Sequence, residues 1–386
     1  MGAQCLAGRL VRSGGGLSDA MGARILALVS DCYGARGGIA RYNQDLFDAL
    51  ADGSTEILIL PRHGDAGGMV LPAGVRQNPS IFGRLGFSVA AIVAAWRFRP
   101  IDTVFCGHVF MAPLGFLLAR LFGARYWVQA HGTDIWQDRR GLVRWLIRNA
   151  DLVTTVSRET RRILLAWVDL PPERVRVLPD TVQDVFTPGP APAALRDRLK
   201  LGSGPILLTV GRLASNERYK GHEPVFSVLP GLREKYPDLV HVVAGDGDDR
   251  QRLEAVATEL APGAVRFLGF VPDADLPDLY RLADLYVMPS TEEGFGIVYL
   301  EAAACGLRVI GGKGGGTADA IPDERVGVIV DPVDRAALAS AIEQQLAQGK
   351  ADPVAVEPYR RSHFVSAARA LYARLAAQPR RMSSGL

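Results

Sequence analysis

A chain of 386 residues is longer than one ordinary hydrophobic core supports, so two domains of roughly 150 to 200 residues are expected. A hydrophobic share of 48% with 22% charged residues excludes a disordered protein, and a net charge of +3 gives no general case for nucleic acid. No apolar run approaches the roughly 18 residues that a helical membrane span requires.

Residues 1–20 are rich in Gly and Ser, lack the continuous apolar stretch of a signal peptide, and precede a second methionine, Met21. They are read as a disordered extension. Cys5, Cys32, Cys106 and Cys305 are far apart and form no CxxC, the pattern of a reducing compartment with no structural zinc. From Arg24 onward, short apolar runs alternate with longer amphipathic ones. "RILALVS", "TEILIL", "IDTVFCG", "RYWVQAH", "LVTTVS" and "VRVLPD" read as strands, with helices such as "GGIARYNQDLFDAL" and "RETRRILLAWV" between them. Uninterrupted apolar strands separated by helices predict a parallel sheet covered on both faces. Prolines and glycines over 184–205 break this rhythm, and the linker is placed at 191–204. The alternation then restarts with "ILLTVG", "LVHVVAGDG", "VRFLGF", "LYVMPS", "RVIGG" and "VGVIVD". The expected α/β architecture is two doubly wound, Rossmann-like domains, 21–190 and 205–358, facing across a cleft. Ligands of such sheets sit beyond the carboxyl ends of the strands.

Strand ends are therefore where chemistry is sought. "EGFGIVYLE" (293–301) places Glu293 on a glycine loop and Glu301 a little over one turn into the following helix. Gly294 and Gly296 let the backbone of Gly294, Phe295 and Gly296 approach an oxygen-rich ligand at a helix N-terminus. Glu301 is suited to paired hydroxyls such as those of a ribose, and Glu293 to a sugar hydroxyl. On spacing alone, a capping Glu293 and a solvent-facing Glu301 fit equally well. "VGRLASNERYKGH" (210–222) ends another strand and puts Arg212 and Lys220 on the loop, a planar fork and a point charge suited to a diphosphate. His131 in "HGTD" ends a first-half strand, and no other histidine clusters with it, so no metal site is expected. Gly37 and Gly38 are not a GxGxxG, and no acidic residue ends "TEILILPRHG" as NAD binding would ask. The glycine loop 311–321 is read either as a phosphate cradle or as a simple turn. Basic stretches "WRFRP" (96–100), "DRRGLVRWLIR" (138–148) and "SRETRRI" (157–163) all fall in the first half, a bias that suits an anionic membrane surface or an anionic substrate.

Taken together, these motifs resemble family 4 of the GT-B glycosyltransferases, over roughly residues 24 to 375. The most specific part is the E-x7-E motif formed by Glu293 and Glu301; "VGRL…ERYKGH", "HGTD", "GGIARYN" and "FVPDADLPDLYRLADLYVMPS" match in order. The resemblance implies that Arg212 and Lys220 hold a nucleotide diphosphate, Glu301 the ribose, and Glu293 with the amides of Gly294, Phe295 and Gly296 the transferred hexose. It further implies that His131 contacts that sugar near the reaction centre, that Gly38 brings an amide to the phosphates, and that the base sits near Phe270 and Val271. Members transfer sugar with retention, without a required metal or other cofactor, from a donor that is here UDP- or GDP-linked. Mannose or glucose is favoured as the hexose, with a glycan or lipid-linked acceptor. A cytoplasmic enzyme of polysaccharide or envelope assembly, peripheral at the inner face of the membrane, is the resulting expectation. The terminal helix over 359–386 is expected to cross back to the first domain. Two departures are visible: seven residues separate Arg212 from Lys220, and Asp319 stands where many members have a glutamate. A nucleotide-sugar-binding protein without transfer, and an epimerase or phosphorylase of the same architecture, are the alternatives.

Overall fold

The computed structural model describes residues 22–136 and 141–379, so the extension expected over 1–20 lies outside the described residues. The first sheet contains β1 (Arg24–Asp31), β2 (Glu56–His63), β3 (Val75–Gln77), β4 (Thr103–Cys106), β5 (Arg125–Ala130), β6 (Leu152–Thr155) and β7 (Val175–Val177). Its order is β3-β2-β1-β4-β5-β6-β7, parallel throughout. The second contains β8 (Ile206–Val210), β9 (Val240–Ala244), β10 (Val265–Gly269), β11 (Leu285–Met288), β12 (Val309–Gly312) and β13 (Gly327–Val330). It is also parallel, in the order β10-β9-β8-β11-β12-β13. Side chains of one strand serve two cores: Ile25, Ala27 and Val29 join one buried cluster, and Leu26 and Leu28 another. This is the two-faced burial that uninterrupted apolar strands imply.

Helices cover the first sheet as α1 (Gly38–Leu50), α2 (Arg84–Arg97), α3 (Ala112–Phe122), α4 (Leu142–Arg148) and α5 (Arg158–Trp167). The expected linker carries one helical turn, α6 (Leu195–Arg198). Around the second sheet lie α7 (His222–Lys235), α8 (Arg250–Leu260), α9 (Leu276–Leu282), α10 (Ile297–Ala304), α11 (Thr317–Ala320) and α12 (Arg335–Gln348). The last helix, α13 (Arg361–Ala376), returns to the first sheet and packs on α1. Arg361 there pairs with Asp45 at 3.2 Å and Asp48 at 2.9 Å, and Arg369 Nε donates to the Ala49 carbonyl at 2.7 Å.

Strand order reverses between β1 and β4 in one sheet and between β8 and β11 in the other. At such a switch point neighbouring connections leave in opposite directions and open a crevice beyond the strand ends. The loops that follow β8 and β11 are the two motif loops, 211–221 and 289–296. Those that follow β1 and β5 hold Gly37–Gly38 and His131. The topology thus brings the motif loops of each half to one rim.

Candidate active site

The cation loop is fixed from below. Thr291 N–H donates to the Tyr219 carbonyl at 2.9 Å, tying it to the loop after β11. Gly221 has φ 80, and its neighbour there is the Pro289 backbone. Lys220 Nζ lies 2.6 Å from Glu217 Oε2 and 3.3 Å from the Arg212 carbonyl. The other Glu217 oxygen takes Arg212 Nη2. Glu217, 8% exposed, therefore holds both cations from the protein side. An ammonium has three donors; one goes to the Arg212 carbonyl, while Glu217 balances the charge.

Beside this loop stand the two carboxylates. Burial pushes the Glu293 carboxyl up to about 7; Lys220 and the Gly294 N–H oppose that rise, and Glu217 adds to it. Phe295 is buried, its ring against Tyr359 at 5.8 Å. Gly296 has φ 94, and a Cβ there would meet the Tyr299 ring at 2.5 Å. Glu301 accepts from Tyr280 Oη at 2.9 Å and is also pushed up to about 7 by burial. Tyr280 and Arg41 pull it back, and Asp273 adds to the rise. The glycine loop after β12 proves to be support: a Cβ at Gly315 or Gly316 would strike the carbonyls of Glu293 or Gly294.

From the first sheet, His131 enters the same rim. Its Nε2 lies 3.0 Å from the Gly107 carbonyl, which can only accept, so Nε2 carries the proton and Nδ1 is an acceptor. Burial lowers this imidazole to about 4, against the pull of Asp134, so it is neutral near pH 7. Asp134 Oδ1 receives the N–H groups of His131 and Gly132 at 3.0 and 2.9 Å and shapes the turn. Tyr42 meets the imidazole edge-on at 5.2 Å. Gly132 and Gly294 touch across the cleft: a Cβ on Gly132 would lie 2.6 Å from Gly294 Cα. Arg158 also crosses, donating its backbone N–H to Asp319 at 2.9 Å and its Nε at 2.5 Å. Asp319, expected in place of a donor-side glutamate, is thus engaged with the first sheet. At Gly37 and Gly38, where α1 begins, added Cβ atoms would meet nothing within 4 Å. Phe270 follows β10 half exposed, and Val271 packs on the core.

Arg212, Lys220, Glu293 and Glu301 therefore share one rim, with His131 opposite. Glu217 and Asp134 were quoted within motifs but carried no expectation; a carboxylate three residues from a lysine, and one three residues from a histidine, were the available signals. Asp180, at the end of "VRVLPD", was also passed over. Burial, then Asp45 and Glu293, push its carboxyl up to about 8, which places it near the same carboxylates. Among the described residues no three His, Cys, Asp or Glu side chains gather as a metal site would need.

Comparison with known proteins agrees with this arrangement. Residues 37–181 match the family described as Glycosyl transferase 4-like domain, and residues 193–361 match Glycosyl transferases group 1. The chain is 35% identical over 264 residues to the GDP-mannose-dependent alpha-(1-6)-phosphatidylinositol monomannoside mannosyltransferase of Mycolicibacterium smegmatis, covering 64% of this chain and 68% of that one. It is 32% identical over 215 residues to the D-inositol 3-phosphate glycosyltransferase of Corynebacterium jeikeium, where it spans about half of the relative (51%) and 53% of this chain. Anabaena HepE, solved with UDP and glucose, superposes with a TM-score of 0.72 at 21% identity, over 92% of this chain and 99% of that one. With both halves matched and the strand-end loops in place, the chain belongs to the GT-B glycosyltransferases of the family 4 type.

Proposed function

We propose that the protein is a retaining hexosyltransferase that moves mannose from GDP-mannose to a lipid-linked acceptor. The observation that carries this is the convergence, at one switch point, of a paired cation site (Arg212, Lys220) with two carboxylates (Glu293, Glu301) that burial holds near pH 7. The diphosphate lies on Arg212 and Lys220, approached by the amide of Gly38. Glu301 takes the ribose hydroxyls. Glu293 and the neutral His131 Nδ1 accept from hydroxyls of the hexose. As the bond from C1 to the diphosphate oxygen breaks, the acceptor oxygen bonds C1 on the same face and its proton passes to the departing phosphate. The two cations stabilise that developing charge. The mannosyltransferase relative of Mycolicibacterium smegmatis supports mannose and a GDP-linked donor.

Thermal-shift titration with GDP, UDP, ADP and NAD is the direct test. GDP is expected to stabilise the protein, by about 2.7 kcal/mol at a hundredfold excess over its Kd, with a smaller effect on Glu301→Ala. Absence of a shift with all four would overturn the donor reading.

The lipid-linked acceptor rests on a separate observation. Leu85, Val89 and Trp96 on α2, Leu117 and Leu121 on α3, and Leu142 and Trp145 on α4 are exposed. Trp96 meets Phe122 at 5.7 Å and Phe116 meets Trp145 at 4.9 Å, so the three helices make one apolar surface, edged by exposed Arg84, Arg97, Arg99 and Arg144. No described helix is long and apolar enough to cross a membrane. Such a face suits peripheral contact with anionic lipid. The protein is expected to sediment with phosphatidylglycerol vesicles at low salt and to be released by high salt. Equal behaviour with purely zwitterionic vesicles, or no sedimentation, would remove the membrane from the reading.

A further inference from the structure

The loop that follows β4, at the same switch point, carries two side chains that the donor reading does not use. Gly107 fixes where it starts: its N–H donates to the Leu28 carbonyl at 2.8 Å, and its own carbonyl lies 3.0 Å from His131 Nε2. His108 comes next, half-buried. No spacing in the sequence ties it to His131, yet the two ring centres are 6.4 Å apart. His108 Nδ1 accepts the Phe110 N–H at 3.2 Å and so caps a 3-10 turn, Val109–Met111, that runs into α3. The Phe110 ring lies flat against the imidazole, 4.7 Å between centres and 9° between planes. Phe110 is nevertheless 66% exposed. An aromatic ring held in place beside a reaction centre is apolar area already ordered for a ligand.

Position decides what that ligand is. With the diphosphate on Arg212 and Lys220 and the hexose between Glu293 and His131, the donor fills the second-sheet side of the rim. The acceptor then comes to C1 from the first-sheet side, over the loop after β4. This step rests on the donor and acceptor reading above. The outward row of α3 leads to the same place. Phe110, Leu114, Leu117 and Leu121 follow one another at steps of four, three and four residues, which sets them along one helix face. Leu117 and Leu121 are exposed and belong to the apolar surface of α2, α3 and α4. One row therefore joins that surface to the rim at His131.

We propose that Phe110, backed by His108, is the platform on which the acceptor's head group lies, and that this head group is a ring, a cyclitol or a pyranose. A cyclic polyol carries its hydroxyls around the rim and presents C–H groups on its faces. Such a face covers an aromatic ring, while the rim hydroxyls stay clear of it and bond elsewhere. Seated on Phe110, the ring turns one edge towards His131, where a hydroxyl reaches C1 of the hexose. Its opposite edge faces α3, and the lipid continues along Leu114, Leu117 and Leu121. A bare phosphate on a polyprenyl chain has no such face, and its charge would lie against the electron-rich face of Phe110. Phe110 acts by placing the hydroxyl; it takes no proton.

The test measures initial rates with GDP-mannose on the full-length protein and its Phe110→Ala and Phe110→Trp variants. Octyl mannoside, phosphatidylinositol and polyprenyl phosphate are offered in turn as acceptors in detergent, and slow hydrolysis of GDP-mannose without acceptor is read alongside. Wild type is expected to use a ring-bearing acceptor and not polyprenyl phosphate. Phe110→Ala should raise the KM for that acceptor about tenfold, with hydrolysis and the donor KM changed less than about twofold. Phe110→Trp should restore it, since it returns the flat face. Loss of hydrolysis together with transfer in Phe110→Ala would make the ring a support for His131 and overturn the platform, as would an unchanged acceptor KM. Transfer to polyprenyl phosphate alone, or hydrolysis with transfer to neither ring-bearing acceptor, would overturn the ring assignment and leave the donor reading standing. Neither hydrolysis nor transfer by wild type would bring down the donor reading, and this proposal with it.

Discussion

Glu293→Gln is expected to lower turnover at saturating donor by about 10²-fold or more, the scale of losing one aimed electrostatic group, while making the ligand-free protein more stable above neutral pH. The two effects have one cause. Burial raises the Glu293 carboxyl from 4.5 to about 7, so the folded chain binds that proton more tightly than the unfolded chain does. The resulting stability is present in full below the unfolded value and is lost as pH rises through 7. Above that point the fold holds a charge that its surroundings solvate poorly, with Glu217 nearby and only Lys220 and the Gly294 N–H in its favour. A glutamine does not titrate. The stability difference between variant and wild type should therefore grow from pH 5 to pH 8 by on the order of 3 kcal/mol. Calorimetric melting at pH 5, 6.5 and 8, without nucleotide, reads it directly. A difference that is flat with pH would mean that Glu293 is well solvated. Turnover close to wild type would remove it from the reaction centre. Lys220→Ala should lose turnover on the same scale, since its ammonium faces both Glu217 and Glu293.

What was legible from the sequence was what local spacing encodes. Apolar runs such as "RILALVS" and "ILLTVG" announced buried parallel strands, and the loops following them announced where a ligand would sit. The three-residue β3, "VRQ", escaped because it pairs at a sheet edge on β2 and has a single apolar residue to mark it. In sequence, the glycine loop 311–321 fits a phosphate cradle and a turn alike, because a close approach to a ligand and a close approach to another backbone demand the same missing Cβ. Only the fold shows that backbone stands there: the carbonyls of Ser290, Thr291, Glu293 and Gly294 lie against Gly312, Gly314, Gly315 and Gly316. The hold of Glu217 on Arg212, the grip of Asp319 on Arg158, and the stacking of Arg36 on Phe270 each need a placement that no periodicity carries. The last two join residues from opposite halves of the chain. Glu217 in "ERYKGH" carried no expectation because a surface carboxylate near a lysine is commonplace; burial to 8% exposure is what changes its meaning.

Closure of the cleft is the other place where one atom should matter. Gly132 has φ 117, and its Cβ would lie 2.6 Å from Gly294 Cα, backbone that cannot swing aside as a side chain can. Gly294 in turn lies against the His131 carbonyl. Gly132→Ala must push the loop after β5 away from the loop after β11. That separates His131 from Glu293, and a shift of about 1 Å in a reacting geometry costs about 10² in rate. Nucleoside diphosphate affinity should fall less than turnover, because Arg212, Lys220 and Glu301 all belong to the second sheet and keep their places. A left-handed φ at alanine also costs about 1–2 kcal/mol wherever it occurs, so strain needs its own control. Gly123 supplies it: φ is 62, and an added Cβ would meet nothing within 4 Å. Gly123→Ala should lower the melting temperature with turnover intact, and Gly132→Ala should lose turnover by a far larger factor than diphosphate binding. Equal loss of turnover in both would reduce the effect to stability. Normal turnover in Gly132→Ala would show that the reaction proceeds without this contact, and the two sheets would then do their work from a more open cleft.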